Sequence, residues 1–168
     1  MASKRAKAAL ASGLGLVALT ATYLTAPWEG KENRAYWDAL GKVWTVCYGE
    51  TLNVKKGDSY TDRQCQDKLI NRLEKGFRQP LRKCIVTFDR APISVQASML
   101  DLSYNIGTGA ACKSTAARRM AAKDWRGACN AMTAFNRAGG RVVEGLKKRR
   151  EYGDTQRIGE LELCLAGL

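Results

Sequence analysis

From Ala8 to Trp28 the chain runs through 21 consecutive uncharged residues, with Lys4, Arg5 and Lys7 before them and Glu29 after. At about 1.5 Å per residue, a helix of that length spans about 31 Å, enough to cross a bilayer core of about 30 Å. The apolar character is weak. Of the 19 residues from Ala8 to Ala26, twelve are Ala, Gly, Ser or Thr, leaving Leu10, Leu14, Leu16, Val17, Leu19, Tyr23 and Leu24 as the large apolar side chains. With roughly a few tenths of a kcal/mol gained per Leu or Val, insertion is close to balanced. The basic flank predicts a cytoplasmic N-terminus with the remainder of the chain outside. We read residues 8–27 as an uncleaved, marginal membrane segment. A cleaved signal peptide fits Leu24-Thr25-Ala26 and Pro27 poorly, and a buried core helix would show polar residues along one face.

After Glu29 the pattern changes. Val43-Trp44-Thr45-Val46-Cys47-Tyr48 is dense in β-formers between Gly41 and Gly49, and Gly57-Asp58 marks a further turn. Thr61-Asp62-Arg63-Gln64 has the form of a capping box, and Cys65, Leu69 and Leu73 continue it as one face of a helix to about Phe77. Pro92 opens a second helix, with Val95, Met99 and Leu102 at helical spacing and a stop near Asn105-Ile106-Gly107. Ser114 caps a short helix through Met120. Asp124 caps another from Trp125 to about Ala138, ended by Gly139-Gly140, and a last helix follows Glu144. The expected class is α+β. An N-terminal segment (1–27) precedes a domain (28–168) with a small β-rich part at about 28–60 and a helical part at about 61–168.

Composition narrows the chemistry. A chain of 168 residues suits one domain and can build its own core. It contains no histidine, which excludes His-ligated zinc hydrolases, Ser-His-Asp hydrolases and Cys-His amidases. Six cysteines occur without any Cys-x-x-Cys pair. In an exported domain they read as disulfides rather than a metal site, with connectivity left open by spacing. Lys and Arg outnumber Asp and Glu by 28 to 16, a formal charge of +12, suited to an anionic envelope or to nucleic acid.

Directly after the uncharged stretch come Trp28-Glu29-Gly30, Tyr36-Trp37-Asp38, Gly41 and Thr45-Val46-Cys47-Tyr48-Gly49. Paired carboxylates with a nearby hydroxyl and stacking aromatics are the groups that glycosidic cleavage needs: one acid protonates the leaving oxygen, the other serves water attack. The string resembles the bacteriophage-type lysozymes, glycoside hydrolase family 24. The resemblance extends through Tyr104-Asn105-Ile106-Gly107-Thr108-Gly109, Ser114-Thr115, Ala138-Gly139-Gly140, Gly145-Leu146 and Arg149-Arg150.

It implies a lysozyme-like fold and hydrolysis of the β-1,4 bond between N-acetylmuramic acid and N-acetylglucosamine in peptidoglycan, with inversion and without metal or organic cofactor. Glu29 would be the general acid. Asp38 would activate the attacking water or stabilise positive charge, and Thr45 would hold that water on the opposite face. One Arg of the Arg149-Arg150 pair would neighbour Glu29, the role being assigned to Arg150, with Asn105 in support. The implied disulfides are Cys47–Cys65, Cys84–Cys112 and Cys129–Cys164. Two departures stand out. The Asp38-to-Thr45 interval is one residue longer than the family's usual one, the extra residue lying between Gly41 and Trp44, where a bulge could absorb it. The Arg150-to-Cys164 interval is about twice the usual one, and its Gly153 and Gly159 predict a loop or an interrupted helix.

A lysozyme behind a weakly apolar, uncleaved segment also resembles the signal-arrest-release endolysins, held in a Gram-negative inner membrane and then freed into the periplasm. That implies transient membrane contact through residues 8–27, action as a monomer, and no nucleic-acid partner. The segment has no cysteine, so activation by thiol exchange with the site is closed. Two other readings remain open at this level: a lytic transglycosylase acting on the same bond, and a cationic binding protein.

Overall fold

The computed structural model describes residues 3–168, so the first two positions of the N-terminal segment lie outside it. Helix α1 is Lys4–Leu10. Helix α2 covers residues 16–28 and consists of Leu16–Thr20, a π-helical turn Ala21–Thr25, and Ala26–Trp28. A hairpin follows, β1 Glu32–Asp38 against β2 Val43–Cys47. Helix α3 covers residues 62–84, with Asp62–Arg72, a π-helical turn Leu73–Arg78, and Gln79–Cys84. Then come α4 Ile93–Ile106, α5 Thr108–Lys113, α6 Thr115–Ala121 and α7 Trp125–Met132. A second hairpin, β3 Arg137–Ala138 with β4 Arg141–Val142, precedes α8 Glu144–Arg150 and α9 Glu160–Ala166. This is the expected α+β arrangement of a small β-rich part and a larger helical part.

The predicted capping box at Thr61 forms in both directions: Gln64 N–H donates to Thr61 Oγ1 at 3.2 Å and Thr61 N–H to Gln64 Oε1 at 2.8 Å. Helix α3 outruns its expected end at Phe77 by passing through a π turn. That turn ends two residues before Pro80, as the one in α2 ends two residues before Pro27. A proline cannot donate to the carbonyl four residues back and its ring crowds that carbonyl, so a locally widened turn lets the helix continue. The expected helix from Trp125 to Ala138 is shorter, stopping at Met132. Gly139-Gly140 takes φ of 55° and 77°, the two-residue turn of a hairpin rather than a helix stop.

Helix α4 runs through the centre of the helical part, with nine of its 14 residues buried. The main core packs Val95, Met99, Leu100 and Leu102 of α4 with Leu81, Ile85, Phe88, Met120 and Met132. Disulfides join Cys47–Cys65, Cys84–Cys112 and Cys129–Cys164, the partners the resemblance implies. With sequence separations of 18, 28 and 35, each removes about 3–4 kcal/mol of chain entropy from the unfolded state.

The N-terminal segment is part of this packing. Val17 and Ala21 enter the main core, while Leu19 and Leu24 join Ala6, Ala9, Ala97, Ile158 and Leu163 in a second cluster. The segment breaks between α1 and α2, where Gly13 adopts φ 73°. No helix among the described residues is long and apolar enough to cross a membrane.

The long interval after Arg150 is the surface that receives the segment. The loop 151–159 offers Tyr152 and Asp154 carbonyls to Arg5, whose guanidinium also binds both oxygens of Glu162 at 2.7 Å. Ile158 O accepts from Trp28 Nε1 at 2.9 Å, and Arg157 lies over the Trp28 ring at 3.8 Å. The loop folds tightly on itself: a Cβ on Gly153 or Gly159 would come within 1.9 or 2.2 Å of backbone oxygens. The Glu162 side chain is only 5% exposed, so loss of its partner leaves a nearly buried carboxylate under-satisfied. Arg5→Ala should therefore cost about 1–2 kcal/mol, a discount for the partial exposure of Arg5, and lower the melting temperature by about 2–8 °C in a thermal denaturation scan.

Candidate active site

Glu29 is the residue that ends α2. Its N–H still donates to Thr25 O at 3.1 Å, while its backbone turns extended at φ −92°, ψ 144°. The helix thus delivers the carboxyl to the junction of the two parts of the fold, with the side chain 27% exposed. Arg149 Nη1 donates to Glu29 Oε1 at 2.6 Å. That guanidinium is itself held from behind, since Nε and Nη2 donate to the two oxygens of Asp101 at 3.1 and 2.9 Å. Asp101, on the buried face of α4, also accepts from Thr25 Oγ1 at 2.8 Å.

These groups are almost wholly out of water: Asp101 is 0% exposed and Arg149 4%. Burial by itself raises the Asp101 carboxyl, but the Arg149 guanidinium beside it outweighs that and holds it below the ordinary carboxylate range. Burial likewise works against the Arg149 charge, and Asp101 reverses it, so the guanidinium stays charged.

The expectation for Arg150 is corrected. Arg149, not Arg150, meets Glu29. Arg150 is fully buried and binds Phe135 O, Asn105 Oδ1 and Glu160 Oε1. Asn105 therefore supports the fold around Arg150. Burial pushes Glu160 well above the usual range, only partly offset by Arg150, and its Oε2 is buried without a partner among the described residues. One residue along a helix turns a side chain by about 100°, which sends neighbouring arginines to different acids.

Asp38 and Thr45 come from the hairpin. The register pairs Asp38 with Val43 and Tyr36 with Thr45. Opposed residues share a face, and so do residues two apart, so Asp38 and Thr45 project from the same side of the ribbon. The longer interval is absorbed in the turn at residues 39–42, where Lys42 takes φ 51°. The register irregularity lies elsewhere, between Glu32 and Tyr36. Asp38 Oδ1 accepts from Leu40 and Gly41 N–H at 2.9 and 3.1 Å, which anchors the carboxylate to that turn. Thr45 is 4% exposed and its hydroxyl donates weakly to Val43 O at 3.4 Å.

Tyr104 bridges the two parts. Its hydroxyl donates to Tyr48 O at 2.6 Å, and Arg72 lies over its ring at 5.6 Å while donating to Gly49 O at 2.6 Å. Burial pushes the Tyr104 phenol up to about 12, with the charges of Glu29 and Glu50 adding to the rise. A groove of 610 Å³ runs past Glu50, Leu52, Tyr60, Lys68, Arg72 and Lys75. Its lining includes none of Glu29, Asp38 and Thr45, and the acids are placed by hydrogen bonding rather than by this hollow. Among the described residues no group of three or more Cys, Asp or Glu is arranged to hold a metal ion.

The family model described as "Phage lysozyme" matches residues 26–152. The chain belongs to the phage lysozyme family. Membership makes it a glycoside hydrolase of lysozyme type. It is 33% identical over 173 aligned positions to a SAR-endolysin of Enterobacteria phage P21, covering 98% of this chain and 97% of that one. It is 32% identical to a SAR-endolysin of Pseudomonas phage phiKMV, covering 94% and 89%. Among solved structures it resembles the active form of the P1 phage endolysin Lyz, with a TM-score of 0.71, 20% identity and coverage of 96% and 91%. The endolysin from Escherichia coli O157:H7 phage FAHEc1 gives a TM-score of 0.68, 24% identity and coverage of 100% and 95%. The fold of this phage lysozyme is therefore the lysozyme-like one.

Asp101 and Thr25 escaped the reading of the sequence, and of the Arg149-Arg150 pair the wrong member was assigned to Glu29. Arg149 lay inside Lys147-Lys148-Arg149-Arg150, which reads equally well as a solvated basic face. The lone acid in the otherwise apolar and small-residue face of α4 was the available signal for Asp101.

A carboxylate held low in the folded state adds stability above its unfolded value of about 4, and that contribution is lost as pH falls toward the folded value. The melting temperature should therefore drop on acidification below about pH 4. Asp101→Asn should be less stable than the wild type at pH 7, and the gap between the two should close as pH falls through that range, measured by pH-resolved thermal denaturation.

Proposed function

We propose that this phage lysozyme is an endolysin that hydrolyses the β-1,4 bond between N-acetylmuramic acid and N-acetylglucosamine in peptidoglycan and lyses a Gram-negative host from the periplasm. In this reading protonated Glu29 gives its proton to the bridging oxygen as the bond to the sugar carbon breaks. A water attacks that carbon from the opposite side and yields a proton to Asp38, with Thr45 holding the water. The observation that carries the reading is the Glu29–Arg149 contact at 2.6 Å. It holds Oε1 in place and leaves Oε2 without a hydrogen-bond partner among the described residues, available to a bridging oxygen. Placement of Asp38 and Thr45 on one face of the hairpin supports hydrolysis over transglycosylation, because only hydrolysis needs a positioned water.

The same chain carries its own control in residues 8–27. Tethered in the inner membrane, the segment would pin Glu29 at the headgroup surface, one residue beyond Trp28. Lys4, Arg5 and Lys7 are held on the cytoplasmic side by the membrane potential, at about 2.3 kcal/mol per charge per 100 mV, or about 7 kcal/mol for the three. Loss of the potential removes that restraint from a segment of marginal hydrophobicity, and the freed residues gain the core contacts of Leu19 and Leu24.

Glu29→Gln should lower peptidoglycan cleavage by about 10³-fold without unfolding the protein, as measured on purified sacculi. Mass analysis of wild-type fragments should show one added water per cut; anhydro ends would instead identify a transglycosylase. Dissipating the membrane potential should move the protein from the membrane to the soluble fraction and start cleavage. Equal activity from the membrane-embedded form would overturn the control.

A further inference from the structure

Thr25 meets Glu29 twice, by two routes. Its carbonyl accepts from the Glu29 N–H at 3.1 Å. Its hydroxyl donates to Asp101 Oδ1, Asp101 grips Arg149, and Arg149 donates to Glu29 Oε1. The result is a closed ring, Thr25–Asp101–Arg149–Glu29–Thr25, whose first three side chains are buried. A helical threonine ordinarily turns its hydroxyl back to the carbonyl four residues earlier. Thr20, in the same helix, does so, donating to Leu16 O at 2.9 Å. Thr25 forgoes that bond and reaches to α4 instead.

We propose that Thr25 is a positioning residue for Glu29, acting through Asp101 and Arg149. The inference rests on the reading of Glu29 as general acid and adds a mechanism to it. Asp101 accepts two bonds from Arg149, one on each oxygen, which fixes the plane of the pair. The Thr25 hydroxyl pins Asp101 from a third direction, and the pinned Asp101 aims the remaining Arg149 donor at Glu29.

The test uses the purified full-length protein and soluble peptidoglycan fragments of defined length, comparing Thr25→Val, Thr25→Ser and Arg5→Ala. Valine keeps the shape of threonine and removes the hydroxyl; serine keeps the hydroxyl. Arg5→Ala loosens the same segment at its far end, on the 151–159 loop. Thr25→Val should lower kcat about tenfold with KM unchanged, the scale expected for a slightly misplaced catalytic group. Thr25→Ser should stay near the wild type, and Arg5→Ala should lose melting temperature but keep kcat. Wild-type kcat in Thr25→Val would overturn the proposal. So would a kcat loss in Arg5→Ala matching that of Thr25→Val, or a Thr25→Val protein unfolded at the assay temperature, since either makes Thr25 a matter of stability alone. If the wild type itself leaves the fragments intact, or Glu29→Gln cuts them at the wild-type rate, the reading of Glu29 is what fails.

Discussion

A guanidinium taken out of water has to be paired, and Arg149 is the charge that organises this molecule. Removing an ion from water costs several kcal/mol even after the protein relaxes, so a buried cation persists only with well-placed acceptors around it. Asp101 supplies two of them and Glu29 the third. Burying Asp101 is feasible for the same reason, and the two charges hold each other in place. The neighbouring Arg150 solves the same problem with a different set, a backbone carbonyl, an amide and Glu160. Together these bonds tie α2, α4, α8 and α9 to one polar centre inside an otherwise apolar helical part. The catalytic candidate sits at the edge of that centre, where it is both held and reachable.

Under the proposed membrane tether, the N-terminal segment would have to satisfy two environments with one set of side chains. Lipid asks for an unbroken apolar helix; the folded domain asks for a short helix that packs Val17 and Ala21 into the main core and Leu19 and Leu24 into the second cluster. Ala, Gly and Thr at most positions meet both demands weakly. Leu19 and Leu24 serve either a bilayer or the cluster with Ile158 and Leu163. Gly13 and Gly15 give the break between α1 and α2 that the packed form requires, and they are tolerable in a membrane helix because the bilayer leaves the backbone no alternative bonding.

The loop after Arg150 shows why an added stretch near a chain end can matter at the other end. Its carbonyls and Arg157 are what Arg5 and Trp28 bind. Its two tight glycines allow the backbone to double back closely enough to present those carbonyls side by side. Arg5, one of the three basic residues of the flank, is the charge that fastens the segment to the domain.

What the sequence determined by itself was local and periodic. The capping box at Thr61, the helix start after Pro92, the Ser114 and Asp124 caps and the β-dense run at residues 43–48 are set by neighbours a few residues away, and each formed as its pattern implied. The candidate chemistry of Glu29, Asp38 and Thr45 came from the resemblance of their short stretch to the phage-type lysozymes, a motif legible because those residues lie close in the chain. Only the tertiary structure decided which arginine faces Glu29, since Arg149 and Arg150 are indistinguishable by type and differ by one step around a helix. Only it could join Thr25 to Asp101, 76 residues apart, or seat the uncharged stretch in a core. Those outcomes depend on which buried charges find partners across the chain, and no local pattern encodes a pairing over that distance.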